Sequence, residues 1–481
     1  MDYEPVIGME IHTELQTRSK IFCGCSTAFG AAPNTQVCPV CLGMPGVLPV
    51  LNKTALEYAI RTALALHCSI TEHTSFDRKN YYYPDLPKNY QISQNYACLG
   101  YGGWVEIASG REKKRVGILN VHLEEDAGKN FHPETGGREE YSLVDLNRTG
   151  MPLIEIVSAP DLHSVEDAMA YMATLKNLLQ YLEVSDCRMQ EGHLRFEVNL
   201  SLKSRGAQEL GTRVEIKNLN SLRTAKRCME YEILRQTEVL QSGGAVVQET
   251  RLWDEAEGGT RAMRSKEYAQ DYRYFPDPDL VEFHITKEWK EEIERHLPEL
   301  QEAKKMRFIR EYGLPEYDAA ILTSGKPLAD YYEACLRIYK NPKMTSNWIM
   351  TEFLRELNNR EMEPDECPLT PGHLGLLLKL IEQGTISGKI GKQVLAEMLE
   401  TGNMPDEIVK EKGWVQIRDQ KEIEDIIEQV MKENPDIVES IRGGKEKAMS
   451  FLVGQVMKKS QGKANPQLVN KILLEKIKSS S

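Results

Sequence analysis

Apolar and polar residues alternate with two different periods along this 481-residue chain, and the period changes near residue 285. Ahead of that point the stretch 195–201 alternates strictly. Phe196, Val198 and Leu200 fall on one face, and Arg195, Glu197, Asn199 and Ser201 on the other. This is the signature of a half-buried strand. Residues 213–217 repeat it, and 153–157 read as a buried strand carrying one carboxylate, Glu155. Helical periodicity occupies about 53–67, 164–182 and 221–241, and Ser164 with Asp167 matches a helix start with an acidic first turn. Strands and helices mix without a regular βαβ period, which predicts an α+β domain around a largely antiparallel sheet. Beyond 285 the pattern is helical: 288–302 is charged and periodic, and 346–357 and 373–383 are amphipathic. Pro298, Pro315, Pro342, Pro364 and Pro371 punctuate them. A further unit is expected from about Pro405.

Composition narrows the class. Hydrophobic residues make up 41% and charged residues 27%, ordinary for a globular protein and against disorder. No apolar run approaches the roughly 18 residues of a membrane span. Residues 1–10 hold neither a basic n-region nor an apolar h-region, so no secretory signal is expected. The net charge of -12 excludes a wholly basic nucleic-acid coat protein. The charge is uneven, however. Between 441 and 481, Arg442 and Lys445, Lys447, Lys458, Lys459, Lys463, Lys471, Lys476 and Lys478 face only Glu446 and Glu475. That tail is +7, so the other 440 residues carry -19.

Three groups of residues have the spacing of functional sites. Cys23-x-Cys25 precedes Cys38-x-x-Cys41, two close pairs suited to a closed tetrahedral zinc site, with four buried or free thiols as the alternative. Six other cysteines are scattered singly, which fits a reduced, cytoplasmic chain better than a disulfide framework. Glu10 and His12 sit two apart on one strand face. His122, Glu124 and Asp126 alternate likewise, with Glu125 on the opposite face, and Glu155, Glu191, Glu197 and Asn199 follow on later segments. Hard oxygen ligands with one imidazole suit Mg²⁺ or Mn²⁺; any one glutamate alone is more often a solvated face residue, and the case rests on several strands sharing the pattern. Residues 76–88 pack Lys79, Asn80, Lys88, three consecutive tyrosines and two prolines into a loop. That loop is either a phosphate and base contact or a surface hairpin. The chain has no G-x-x-x-x-G-K-[ST], no helix-opening G-x-G-x-x-G and no G-x-S-x-G. Any use of ATP must therefore rely on metal and side chains, and no hydrolase nucleophile is evident.

Longer strings carry a family resemblance. Ile7-Gly8-Met9-Glu10-Ile11-His12, residues 76–83, Leu123-Glu124-Glu125-Asp126-Ala127-Gly128-Lys129, Pro152-Leu153-Ile154-Glu155-Ile156-Val157 and Lys217-Asn218-Leu219-Asn220-Ser221 resemble the B subunit of the tRNA-dependent amidotransferases. So do residues 142–148, 248–251, 271–279, 447–457 and 462–466, and the likeness spans essentially the whole chain. It implies an ATP-dependent ligase that phosphorylates the side-chain carboxylate of Glu-tRNA(Gln) or Asp-tRNA(Asn). Ammonia from a partner amidase subunit then completes the amide, and a small belt subunit closes a heterotrimer. It implies a catalytic cradle domain over 1–290 with a zinc knuckle at 23–41, a helical domain over 291–404, and a helical tail over 405–481 that contacts the tRNA. It assigns Mg²⁺ ligation to Glu10, His12, Glu124, Glu125 and Glu191. Lys79, Asn80, Lys88, Glu197 and Asn199 become nucleotide or phosphate contacts, and the four cysteines hold a structural zinc that stiffens a loop near the acceptor end. Two segments depart from the family wording. Residues 192–199 read Gly-His-Leu-Arg-Phe-Glu-Val-Asn where Gly-Ser-Met/Leu-Arg-Cys-Asp-Ala-Asn is usual, so Glu197 replaces an Asp, and the Gly-Ser-x-Asp wording has drifted over 266–271. Two functions compete: a free-standing ATP-dependent enzyme activating a small-molecule carboxylate, against which the basic tail argues, and a non-catalytic tRNA-binding scaffold. Buried carboxylates discriminate against the scaffold, because a pure binder has no need of them.

Overall fold

The computed structural model describes residues 3–110, 112–131, 141–263, 272–360, 362, 364, 366–414, 420–442, 449–460, 464 and 466–479. The drifted segment 266–271 and the tail cations Lys445, Lys447 and Lys463 lie outside these residues. The chain forms two compact units, Met1–Leu300 and Gln301–Ser481.

The strands all belong to the first unit among the described residues. In chain order they are β1 (Tyr3–Glu14), β2 (Ser69–Ile70), β3 (His73–Thr74), β4 (Asp77–Asn80), β5 (Tyr90–Ser93), β6 (Gly100–Ser109), β7 (Glu112–Glu125) and β8 (Lys129–Phe131). There follow β9 (Leu143–Asp145), β10 (Pro152–Ser158), β11 (Leu194–Ser204), β12 (Val214–Leu219), β13 (Thr250–Asp254), β14 (Gly259–Ala262), β15 (Phe275–Pro276) and β16 (Phe283–His284). Nine of them form one sheet in the order β14-β13-β12-β11-β1-β10-β7-β6-β2. Every pairing in it is antiparallel except β12 with β13. The α+β expectation with a largely antiparallel sheet therefore holds. Small satellites, β15-β4-β5, β16-β3 and β8-β9, flank the sheet.

Helices α1 (Lys53–Ala65), α2 (Val165–Tyr181) and α3 (Leu222–Gln241) fall where the periodicity places them. Asn52, Ser164 and Ser221 each accept from backbone amides of the first turn, satisfying donors that a helix start leaves open. One face of the sheet carries Ile7, Met9, Ile11, Ile154, Ile156, Phe196 and Val198. They pack into a single core with Ala55, Ala59, Tyr171, Leu175, Ala225 and Met229 of the helices. The hydrophobic effect thus fixes which face is covered, and strand alternation sends the polar partners of those residues to the other.

The charged stretch 288–302 is not one helix. It divides into α4 (Lys287–Arg295) and a new helix from Gln301, because Pro298 lacks the amide a continuing helix needs. Ile293 and Trp289 pack on the first core, which carries the first unit through Leu300. The second unit is helical. The expected helix over 346–357 is interrupted by a π-helical turn, Ile349–Phe353, and the 373–383 pattern forms Pro371–Glu382. From Gln420 on, Ile423, Ile427, Val430, Leu452, Val456, Val469 and Leu473 form a small core of their own.

Candidate functional site

The uncovered face of the nine-stranded sheet gathers the ionisable residues. Register alone brings them together: His12 on β1 lies opposite Glu155 on β10, which lies opposite His122 on β7. On the other side of β1, Glu10 lies opposite Glu197 of β11, and Asn199 opposite Glu215 of β12. Strands stand about 4.8 Å apart, so paired side chains on one face must touch.

Two groups result. In the first, His12 Nε2 lies 3.3 Å from Glu155 Oε2 and 3.8 Å from Glu124 Oε1, and His122 Nε2 lies 3.3 Å from Glu155 Oε2. Glu124 Oε2 is buried without a hydrogen-bond partner. In the second, the ligand atoms of Glu10, Glu197 and Glu215 lie within 4.8 Å of one another. Asn199 Nδ2 donates to Glu10 Oε1 at 3.0 Å, and Lys217 Nζ donates to Glu197 Oε2 at 2.6 Å.

The electrostatics follow from crowding. Burial by itself would lower the His12 imidazole, but its hydrogen bond to Glu155 and the charges of Glu155 and Glu124 lift it to about 9. His122 rises for the same reason: burial works against it and the Glu155 charge prevails. Glu155, penalised by burial, is nevertheless held well below the carboxylate range by His122 and His12. Glu10 is raised by burial first, then by Glu155 and Glu197. Lys79 is lowered by burial but raised overall by Glu124, so its ammonium faces the first group as a fixed cation. Buried carboxylate and imidazole sets of this kind, with an oxygen lacking a partner, fit a hard divalent cation.

Apart from Lys79, the other expected site residues lie elsewhere. Glu125, next to Glu124, points through the opposite side of β7. Its Oε1 accepts from the Ile92 amide at 2.8 Å and from Lys88. Glu191 lies beside Arg188 (3.2 Å) and His193 (3.7 Å), in a cleft of about 270 Å³ shared with Glu14 and Phe29. Neither joins the two groups. Lys79 and Asn80 lie on β4, which pairs with β5 as a hairpin whose connecting Tyr82 and Tyr83 are exposed. Asn80 Nδ2 donates to the carbonyls of Arg78 and Arg273.

Glu155 and Glu215 are ligand candidates that the family resemblance leaves out of its Mg²⁺ set. A parity signal is present in the residues, a carboxylate inside 153–157 and another inside 213–217, but only strand order shows that they neighbour His12 and Glu10.

Cys23, Cys25, Cys38 and Cys41 converge from an irregular loop, with all four sulfurs within 4.8 Å of one another and Cys38 Sγ 3.9 Å from Cys41 Sγ. Four sulfurs at about 2.3 Å from one zinc stand about 3.8 Å apart, so the donor set fits. Cys41 is held down to about 5, first by its hydrogen bond with Cys23. The loop forms one wall of a cavity of about 200 Å³ that also contains Lys88, Glu125, Arg78 and Asp279. No helix among the described residues is long and apolar enough to cross a membrane.

A family model described as the GatB/GatE catalytic domain matches residues 5–291, and a second, described as the GatB domain, matches 330–477. The chain is 57% identical over 477 residues to the B subunit of an aspartyl/glutamyl-tRNA(Asn/Gln) amidotransferase of Thermoanaerobacter sp. (strain X514), covering 99% of this chain and 100% of that protein. Similar proteins of the same name occur in Carboxydothermus hydrogenoformans (54% over 476 residues) and Brevibacillus brevis (52% over 477 residues), each with 99% of both chains covered.

Proposed function

Since the chain belongs to the GatB/GatE family of amidotransferase subunits, we propose that the carboxylate-lined sheet face is where it carries out tRNA-dependent amidation. In this reading the side-chain carboxylate of tRNA-bound Glu or Asp attacks the γ-phosphorus of ATP. The bond to the ADP oxygen breaks and an acyl phosphate forms. Ammonia attacks the acyl carbon, the carbon–phosphate oxygen bond breaks, and phosphate departs as the nitrogen loses a proton.

Bound divalent cations supply charge neutralisation and alignment of the phosphates. His12, Glu124 and Glu155 would hold one, and Glu10, Glu197 and Glu215 a second. Asn199 orients Glu10, and Lys79 offers its ammonium to a phosphate. Glu125 and Glu191, which the family resemblance assigns to Mg²⁺, are engaged with Lys88 and with Arg188 and His193. We therefore assign Lys88 and Glu125 to the wall of the neighbouring cavity, and leave Glu191 and Asn80 to positioning their own loops. The four cysteines hold structural zinc. An amidase and a belt subunit complete a cytoplasmic heterotrimer, and the 405–481 segment contacts the tRNA body.

The observation that carries the reading is Glu124 Oε2, buried beside His12 with no hydrogen-bond donor. A carboxylate oxygen in that state costs stability unless a cation meets it, and a scaffold has no use for one. The test is conversion of Glu-tRNA(Gln) or Asp-tRNA(Asn) by this chain with its amidase and belt partners, given glutamine, Mg²⁺ and ATP. Conversion that requires ATP and disappears in Glu155→Gln, with tRNA binding intact, supports the assignment. Bound tRNA with no conversion of either substrate by the native chain returns the scaffold reading.

A further inference from the structure

Lys20 is among the largest side chains with no accessible surface at all. It follows Ser19, which bridges to Ser26 across the start of the cysteine loop, and its amide donates to the Cys25 carbonyl at 3.0 Å. Its Nζ lies 3.8 Å from Cys41 Sγ. Among the described residues no carboxylate oxygen lies within 4 Å of that ammonium, although the nearly buried Lys88 has Glu125. Gly150, with φ +79°, lies alongside: a Cβ there would meet Cys41 Cβ (3.5 Å), Lys20 Cδ (3.7 Å) and Glu125 Oε2 (3.9 Å) at ordinary contact distances, and that carboxylate is already engaged by Lys88.

A buried ammonium without a counter-charge is among the costliest arrangements a core can hold. Without a metal the cysteines offer it at most the one lowered thiol of Cys41. Four thiolates around Zn²⁺ leave a net charge of about -2, spread over the sulfurs. We propose that Lys20 is the built-in counter-cation of the four-cysteine centre, donating to Cys41 so that the tetrathiolate keeps its metal in an apolar surrounding. This rests on the zinc reading above and is independent of the amidation chemistry. Lys20 is then a positioning residue for the centre. It compensates charge and lowers the electron density on one sulfur, as outer partners of metal ligands do.

The test uses the full chain, zinc-loaded and zinc-stripped, with Lys20→Met. Met keeps the stem and removes the charge. Zinc transfer to a competing chelator should show affinity weakened about 10- to 100-fold. Thermal unfolding should show unequal effects: the substitution lowers the melting temperature of the loaded chain clearly more than that of the stripped chain, where at most one thiolate faces the ammonium. A lysine that merely fills space would shift both by the same amount, and that result overturns the proposal, as does unchanged zinc affinity. Should Lys20→Met fail to fold, the native chain decides by mass-spectrometric amine labelling. Lys20 should be protected with zinc and labelled without it; equal protection in both overturns the proposal. A native chain that arrives without zinc and cannot be loaded overturns the zinc reading itself, whereas a full equivalent of zinc with Lys20→Met indistinguishable from native removes only the role of Lys20.

Discussion

Glu124 and Glu125 are consecutive on one strand and serve opposite faces of the sheet. Glu124 Oε1 lies 3.8 Å from His12 Nε2, and Glu125 Oε1 lies under Lys88 and the Ile92 amide. The same neutralising substitution should therefore have two distinct effects. Glu124→Gln removes a proposed ligand from a crowded acidic group. It should weaken Mn²⁺ binding by about 100-fold or more and leave thermal stability unchanged or slightly higher, because like-charge repulsion with Glu155 falls. Glu125→Gln should leave Mn²⁺ binding within about twofold while losing about 3 kcal/mol of stability, since it strands the buried Lys88. Mn²⁺ titration by electron paramagnetic resonance and denaturant unfolding of the two variants check this, and similar profiles would mean the two carboxylates share one site.

If the proposed cation binds beside His12, that imidazole makes the binding depend on pH. Lifted to about 9 by Glu155 and Glu124 against the opposing effect of burial, it is protonated at neutral pH while no ion is bound. A cation needs the neutral nitrogen, so binding expels a proton. Affinity should then rise with pH, by up to about tenfold per unit, and level off above about pH 9. Acidification runs the other way and releases the ion. Calorimetry in buffers of different ionisation enthalpy should detect the released proton near pH 7. In His12→Gln the release should fall away, and a native chain that releases none at that pH would contradict the assignment.

The two kinds of information were not equally legible in the residues. Period-two runs such as 195–201 locate β11 and its two faces, because alternation is a local property of a pleated chain. The capping residues Ser164 and Ser221 likewise mark real helix starts. Which acids meet is not local. Glu155 joins His12 and His122 only because β10, distant from both in the chain, inserts between β1 and β7. The grouping of Glu125 and Glu191 with Glu10 and His12 comes from strings of sequence, which carry no strand order. Lys20 gave no signal at all: a lysine in a polar stretch reads as exposed, and its burial comes from the cysteine loop folding over it.

Gly43 ties that cysteine loop to the Lys88 pair. Its φ is +64°, in the left-handed region, and a Cβ added there would collide with the Lys88 stem. Gly43→Ala should cost about 2 kcal/mol or more, part backbone strain and part displacement of Lys88. Gly46, with φ +84° but open space around it, provides the control, since Gly46→Ala carries the backbone strain alone. Denaturant midpoints for the pair should therefore differ, with Gly43→Ala the lower. Equal midpoints would show that the loop yields and that its contact with Lys88 is incidental.

The basic tail can be divided by what its lysines already hold. Lys476 is paired with Glu428 (2.5 Å) and Glu424 (3.8 Å), and Lys459 with Glu433 (2.5 Å). Lys458 and Lys471 are exposed and have no carboxylate within 4 Å among the described residues. A phosphate meeting Lys476 must first displace two carboxylates, whereas one meeting Lys458 or Lys471 displaces only water and counterions. If the tail contacts the tRNA backbone, Lys458→Ala and Lys471→Ala should each weaken tRNA binding and reduce the slope of log K against log salt by up to about 1. Lys476→Ala should change that slope little and should instead loosen the packing of the helix Pro466–Ser479 on Gln420–Glu433. Filter binding across a salt series separates these outcomes. A slope reduced most by Lys476→Ala would mean that its acidic partners let go on binding. A slope untouched by all three would move the phosphate contacts to another part of the chain.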